Sequence, residues 1–158
     1  MANRSLSYFM RETAKQAEIV EVPGISSIKD EKGEVVPFQI KVLNSKEIDE
    51  IYDKYRTREL VMDKKGRPIL NAGRPIFDVK VDSNRALRRI IVEALVYPNL
   101  KDKEIMDFFG CHDFSDMPIK VFPNPKEYSE VTEKVLGALG ITAEIEEDAE
   151  EEVEDAKN

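Results

Sequence analysis

Two helices separated by a proline, between Asp82 and Gly110, constrain the fold of this chain more than any other segment. Asp82-Ser83-Asn84 forms a helix cap, and Pro98 is predicted to stop the first helix. The apolar stripe of that helix consists of Leu87, Ile90, Ile91, Ala94 and Leu95. A shorter second helix is predicted to end at Gly110, a residue type that favours a left-handed stop. These two apolar helices contain no arrangement of residues that breaks bonds, and they indicate a packing unit.

The N-terminal half reads mainly as short strands. Residues 17–22 alternate apolar and polar, and Pro23-Gly24 ends that alternation. Segments 25–29 and 35–43 flank the polar loop Asp30-Glu31-Lys32-Gly33, a pattern that predicts a hairpin, with Pro37 at an edge or a bulge. A capped amphipathic helix is expected from Asn44-Ser45 to about Thr57. Segment 60–70 is compatible with a second hairpin or with an extended loop, and residues 76–81 with one more strand.

The C-terminal half reads as helical. A short helix is predicted around residues 116–122, and Pro123-Asn124-Pro125 sets up a final helix that Gly140 ends. The predicted fold class is therefore α+β, with a small antiparallel β element of hairpins in the N-terminal half and a mainly helical C-terminal part. A single domain is expected over residues 15–141, preceded by an arm at residues 1–14 and followed by a disordered acidic tail at residues 142–158.

The net charge of −8 belongs to the predicted tail. Nine of the 32 acidic residues lie between Ala143 and Asp155, and only Lys157 of the 24 basic residues lies beyond Thr142. The remainder of the chain is neutral, which argues against binding of nucleic acid by bulk electrostatics. The sequence contains no run of eighteen apolar residues and no secretory signal. We therefore expect neither a membrane-spanning segment nor export.

The residues that carry enzyme chemistry are sparse. Cys111 and His112 are the only cysteine and the only histidine. Zinc needs about four ligands, and neighbouring residues have poor geometry for a catalytic dyad, so we expect neither a metal site nor a nucleophile. The glycines do not form a phosphate-binding loop. No cofactor is expected, and an enzyme is the last of the functional classes considered.

A basic region in the middle of the chain admits two interpretations. It includes Arg85, Arg88 and Arg89 together with Arg56, Arg58, Lys64, Lys65, Arg67 and Arg74. Such a region can be a solvated face, or it can be a docking surface for an acidic partner such as the acidic tail of this chain or of a neighbour. The tail likewise can serve only solubility or can bind specifically.

Four segments, taken in order, resemble a known family. They are SYFMRETAKQAEIVEVPG, SSIKDEKGEVVPFQIKVLNSKEIDEI, VYPNLKDKEIMDFFG and PNPKEYSEVTEKVLGALGI. Their order and spacing from about Arg11 to Ile141 are similar to those of the XkdN-like tail assembly chaperones of tailed bacteriophages and prophages.

This resemblance implies a protein that is not an enzyme. It implies binding of the tape measure protein, recruitment of the tail tube protein, and a longer form of the chain made by ribosomal frameshifting. It also implies work in the bacterial host cytoplasm and absence from the mature virion. A homo-oligomer remains open.

Apolar residues that could cover a client lie in the arm and in the helical part. The candidates are Tyr8, Phe9, Phe108, Phe109 and Tyr128, and each of them could instead pack in the core. The arginines Arg85, Arg88 and Arg89 complete the candidate partner-binding set. Two alternatives stay open: a structural head–tail connector or tail completion protein, and an acidic regulatory binding module.

Overall fold

The computed structural model of the chain describes residues 5–10 and 18–141. The predicted acidic tail at 142–158 lies outside the described residues, which end at Ile141. The predicted arm at 1–14 lies outside them except for residues 5–10, where Leu6–Tyr8 form a short 3₁₀ turn.

A three-stranded antiparallel sheet forms the base of the fold. Strands β1 (Ile19–Val22), β2 (Phe38–Lys41) and β7 (Leu95–Tyr97) lie in the order β1-β2-β7. Val22 lies opposite Phe38, and Gln39 lies opposite Tyr97, with an irregularity between Gln39 and Ile40. The alternation in β2 puts Phe38 and Ile40 in the core. The α+β prediction is confirmed, and the C-terminal half contributes one edge strand to the sheet.

The first predicted hairpin is present in a shortened form. Gly33 adopts a φ of 81°, its N–H donates to Asp30, and one bridge joins Lys29 to Val35. The N–H of Val36 donates to the carbonyl of Ile28 at 3.1 Å, but from Phe38 onward the second arm becomes β2 and pairs with β1 and β7 instead. Pro37 lies just before β2, where no ladder hydrogen bond is needed.

Helix α1 (Ser45–Lys54) begins as predicted at Asn44. The side chain of Asn44 accepts from the N–H of Glu47, and Glu47 accepts in return from the N–H of Asn44. The helix ends three residues before the predicted Thr57, because the chain continues directly into an extended strand at Arg56.

A hairpin excursion spans Arg56 to Val81, and we call it the ribbon. Its base is formed by β3 (Arg56–Leu60) and β6 (Phe77–Val81), which pair over five residues. Its outer part holds the bridge from Met62 to Pro68 and the short strands β4 (Leu70–Asn71) and β5 (Arg74–Pro75). The hairpin interpretation of this segment is therefore confirmed over the extended loop.

Helix α2 (Ser83–Ala94) crosses the sheet and is the centre of the core. Asp82 caps it by accepting from the N–H of Arg85. The expectation that the helix runs on through Leu95 toward Pro98 is wrong. Residues 95–97 leave the helix and pair with β2, because the residue before a proline disfavours helical geometry and β2 offers an open edge.

Three further helices close the fold: α3 (Lys103–Phe109), α4 (Met117–Val121) and α5 (Pro125–Leu139), with a 3₁₀ turn at Phe114–Asp116. Gly110 and Gly140 end α3 and α5 in the left-handed conformation, as predicted. The core joins the sheet, α2, α4 and α5. Its fully buried side chains include Phe38, Ile40, Ile90, Ile91, Leu100, Met117, Phe122, Val131 and Val135.

Candidate functional site

An apolar groove lies between the end of β7 and α3. Its volume is about 440 Å³, and it is lined by Tyr97, Pro98, Asn99, Asp102, Glu104, Ile105 and Phe108. The Tyr97–Pro98 peptide bond, at the end of the edge strand, is cis. The side chain of Asp102 caps α3 by accepting from the N–H of Glu104 at 2.8 Å. Both walls of the groove are therefore parts of regular elements.

Phe108 is the most exposed large apolar side chain of the described residues. It is 82% exposed, whereas its neighbour Phe109 packs against the core. The two rings meet edge to face with centroids 4.9 Å apart, which limits the freedom of the outer ring. Tyr97, at 52% exposure, faces the same groove. An exposed aromatic side chain held by a partly buried one is typical of an anchor for a partner.

The rim of the groove is acidic. Asp102 and Glu104 are among the lining residues, and the lining contains no basic residue. The groove has no set of groups for acid–base or nucleophilic chemistry. It can accept an apolar surface whose polar border is basic.

The three predicted arginines lie together on α2, and all three are engaged within the fold. Arg85 donates to Asp113 at 2.9 Å, and Arg88 lies 3.9 Å from Asp116. Arg89 pairs with Glu93 at 2.9 Å and lies 4.1 Å from the centre of the Phe114 ring. The arginines thus fasten α2 to segment 113–116. Their role toward a partner stays a prediction.

Two carboxylates of this cluster, Asp113 and Glu93, have pKa values below their ordinary values. Hydrogen bonds from the side chain and then the backbone of Ser115, joined by Arg85, lower the pKa of Asp113 against a smaller opposing effect of desolvation. Desolvation is the largest single effect on Glu93 and would raise its pKa. Lys101 and Arg89 together outweigh it, so the pKa of Glu93 lies below its ordinary value.

The remaining predicted residues differ in accessibility. Tyr8 and Phe9 are 78% and 80% exposed, in the short segment 5–10. Tyr128 is half-buried on α5 and packs against the core, and this burial raises its pKa. The structure therefore brings Phe108 and Phe109 together, whereas Tyr128 belongs to another surface.

The Cys111–His112 pair behaves as a structural element. Cys111 is buried, and its Sγ donates to the carbonyl of Asp113 at 3.0 Å. Within residues 5–10 and 18–141, no group of three or more His, Cys, Asp or Glu side chains is arranged to hold a metal ion. Over the same residues, no helix has the length and apolar character needed to cross a membrane.

The ribbon carries an apolar face that sequence reasoning missed, although its basic residues had been singled out as a possible docking surface. Leu60, Arg58 and Arg56 lie opposite Phe77, Val79 and Val81, so all six residues share one face. The other face carries Thr57, Glu59, Asp78 and Lys80, with an ion pair of 3.0 Å between Lys80 and Glu59. The alternation Phe-Asp-Val-Lys-Val over residues 77–81 was the available signal, although it could not reveal that the apolar face stays uncovered by the described residues.

Comparisons with known proteins agree on one family. A family model described as "Phage XkdN-like tail assembly chaperone protein, TAC" matches residues 6–157. The chain is 33% identical to the Bacillus subtilis (strain 168) protein YqbN over 153 residues, covering 97% of this chain and 93% of the relative. It is 32% identical to the phage-like element PBSX protein XkdN of the same organism over 154 residues, with the same coverages. The crystal structure of YqbN aligns with a TM-score of 0.62 at 28% identity, covering 89% of this chain and all of that one.

Proposed function

The chain belongs to the XkdN-like family of phage tail assembly chaperones, and on that premise we propose that it holds the tape measure protein until the tail tube assembles around it. The observation that carries this proposal is the groove beside α3, with Phe108 82% exposed at its wall. A large exposed apolar patch marks an interaction site. The proposed action is cover and release, without a covalent step.

The groove defines the chemistry of its client. Tyr97, Pro98, Ile105 and Phe108 offer an apolar floor, and an amphipathic helix can lay its apolar face there. The acidic rim of Asp102 and Glu104 favours a helix whose apolar stripe is bordered by lysine or arginine. A long helical rod with exposed apolar stripes needs such cover before assembly.

The exposed segment 5–10 is the second contact in this proposal. Leu6, Tyr8, Phe9 and Met10 are each at least 70% exposed, and Ser5 caps their short turn. Together with the groove they extend the apolar area available to a client. The arm at residues 1–14, the domain at 15–141 and the acidic tail at 142–158 are kept as the proposed division of the chain.

The wider proposal concerns place and partners. We infer that the protein acts in the bacterial host cytoplasm, that it is absent from the mature virion, and that the tail tube protein and a frameshifted longer form of the chain are further partners.

Co-expression with the tape measure protein of the same phage tests the proposal. We expect the tape measure protein to become soluble and to co-purify with the chain. We also expect mass spectrometry of purified virions to find no stoichiometric amount of the chain itself. A tape measure protein that stays insoluble would contradict the proposal. A chain found as a stoichiometric component of virions would support the structural connector alternative instead.

A further inference from the structure

The ribbon presents an uncovered apolar face that is also basic. Phe77 and Val79 are 46% and 55% exposed, although both lie in a regular strand. The guanidinium of Arg58 lies 4.7 Å from the centre of the Phe77 ring on that same face. Apolar side chains flanked by arginine are typical of a docking surface for an apolar, acidic segment.

The charge of the ribbon is unbalanced. Seven basic and three acidic residues lie between Arg56 and Val81. Two of those acids are already paired, Asp63 with Arg67 at 3.5 Å and Glu59 with Lys80 at 3.0 Å. Four cations, Arg58, Lys64, Lys65 and Arg74, make no ion pair with any residue of the described ranges. This differs from Arg85 and Arg89, whose charges are met within the fold.

One segment of the chain has the complementary composition. Residues 143–155 carry nine acids and no base, and three of their four apolar members, Ile145, Ala149 and Val153, recur at every fourth position. That spacing places three apolar side chains on one face of a helix. The segment therefore offers negative charge that complements the cations of the ribbon and an apolar stripe that complements its uncovered apolar face.

Attachment to the same chain favours this segment over a free partner. It begins just after Ile141, next to the end of α5. In the helical form that aligns its apolar side chains, the segment of thirteen residues would span ~20 Å, whereas a body of this size has a radius of gyration of about 14 Å. A short tether also raises the effective concentration of the segment to the millimolar range.

We propose that the acidic segment 143–155 docks on the apolar, basic face of the ribbon of its own molecule. The docked segment covers Phe77, Val79 and Val81 and meets the four unpaired cations. No residue of the ribbon is among those that line the groove at α3, so this interaction does not depend on the proposed client. Of the two interpretations of the basic region given above, a solvated face or a docking surface for an acidic partner, this proposal selects the second and names the partner segment.

Paramagnetic NMR on the full chain tests the contact. Ala156→Cys places a nitroxide just beyond the acidic run, and native Cys111 is buried and should stay unlabelled. At low salt we expect the label to broaden amide signals of Phe77–Val81. Raising the salt to about 0.5 M should remove the broadening, because screening weakens exposed charge pairs.

Charge reversal supplies the specific control. K64E/K65E/R74E should reduce the docking equilibrium constant about tenfold, since each exposed pair contributes modestly. The matched variant K29E/K32E/K103E changes the same charge at exposed residues away from the ribbon and should leave the broadening unchanged. Reversing Glu150, Glu151 and Glu152 to lysine in the ribbon variant should restore it.

Mixing isotopically unlabelled, spin-labelled chain with ¹⁵N-labelled, spin-free chain identifies the source of the segment. No broadening in the mixture supports docking within one molecule, whereas broadening there would overturn that assignment in favour of a second copy. Two other results would overturn the proposal. One is amide signals of Phe77–Val81 that stay sharp in the spin-labelled chain with the native ribbon, and the other is broadening that persists in the K64E/K65E/R74E variant.

Discussion

Phe108→Ala is the perturbation that separates client binding from folding most cleanly. A phenylalanine side chain buries roughly 200 Å² when fully covered, and this one is 82% exposed in the free protein. A client can therefore remove roughly 160 Å² from water, which is worth at most about 4 kcal/mol. Ordering and incomplete burial reduce this contribution to about 2 kcal/mol, which corresponds to roughly a 30-fold loss of affinity.

The same substitution should change the free energy of unfolding by less than about 1 kcal/mol, because only the edge contact with Phe109 is lost. Affinity is measured by calorimetry against overlapping peptides of the tape measure protein, and stability by urea unfolding. Phe77→Ala is the matched control, since it removes an exposed phenylalanine outside the groove. Native-like binding by Phe108→Ala, or equal weakening by both variants, would refute the reasoning.

Four further outcomes follow from the structure. Phe122→Ala should lower the free energy of unfolding by about 3–5 kcal/mol in urea, because that fully buried ring packs edge to face on Phe38 at 6.3 Å. Asn44→Ala should lower the free energy of unfolding by about 1 kcal/mol in the same assay through loss of the α1 capping box, whereas Asn44→Asp should keep most of the capping stabilisation. The lowered pKa of Glu93 stabilises the fold above the ordinary glutamate pKa, so thermal stability should fall as the pH drops through and below that value, and Glu93→Gln should flatten this part of the profile. Replacing residues 57–80 by a short glycine-containing turn should leave the melting temperature of the body within a few degrees, since the ribbon strands pair with one another and are exposed; a large drop would show that the ribbon supports the core.

Local signals predicted the start of α1 and the ends of α3 and α5. Asn44, Gly110 and Gly140 act within one turn of the helix they start or end, and their chemistry does not depend on distant residues. The family was likewise visible in the order of four segments. These features could be predicted because each depends on a few neighbouring residues.

Features that depend on contacts between distant parts of the chain could not be predicted from the sequence. Leu95 continues a helical stripe in the sequence, yet it joins β2 from more than fifty residues earlier, a partner that periodicity cannot reveal. The charges of Arg85 and Arg89 are met by Asp113 and Glu93, and only the fold brings Asp113 near. The groove was also invisible, because Phe108 and Tyr97 come from different elements.

In the proposed function, the accessible edge of β7 and the exposed wall of α3 form the surface that meets the client. Val96 and Tyr97 lie on an edge strand, and Phe108 projects from the neighbouring helix. Because these residues are held by a core that α2 organises, the surface is formed before the client arrives. Preformed apolar cover lowers the entropy cost of binding.

Hydrogen exchange of the purified complex with the tape measure protein tests the central claim most directly. We expect amides of residues 96–109 to become protected when the client binds, with smaller changes at Phe122 and in the rest of the core. Protection that leaves residues 96–109 unchanged and appears only on other surfaces would contradict the account, as would a client that forms no complex with the chain.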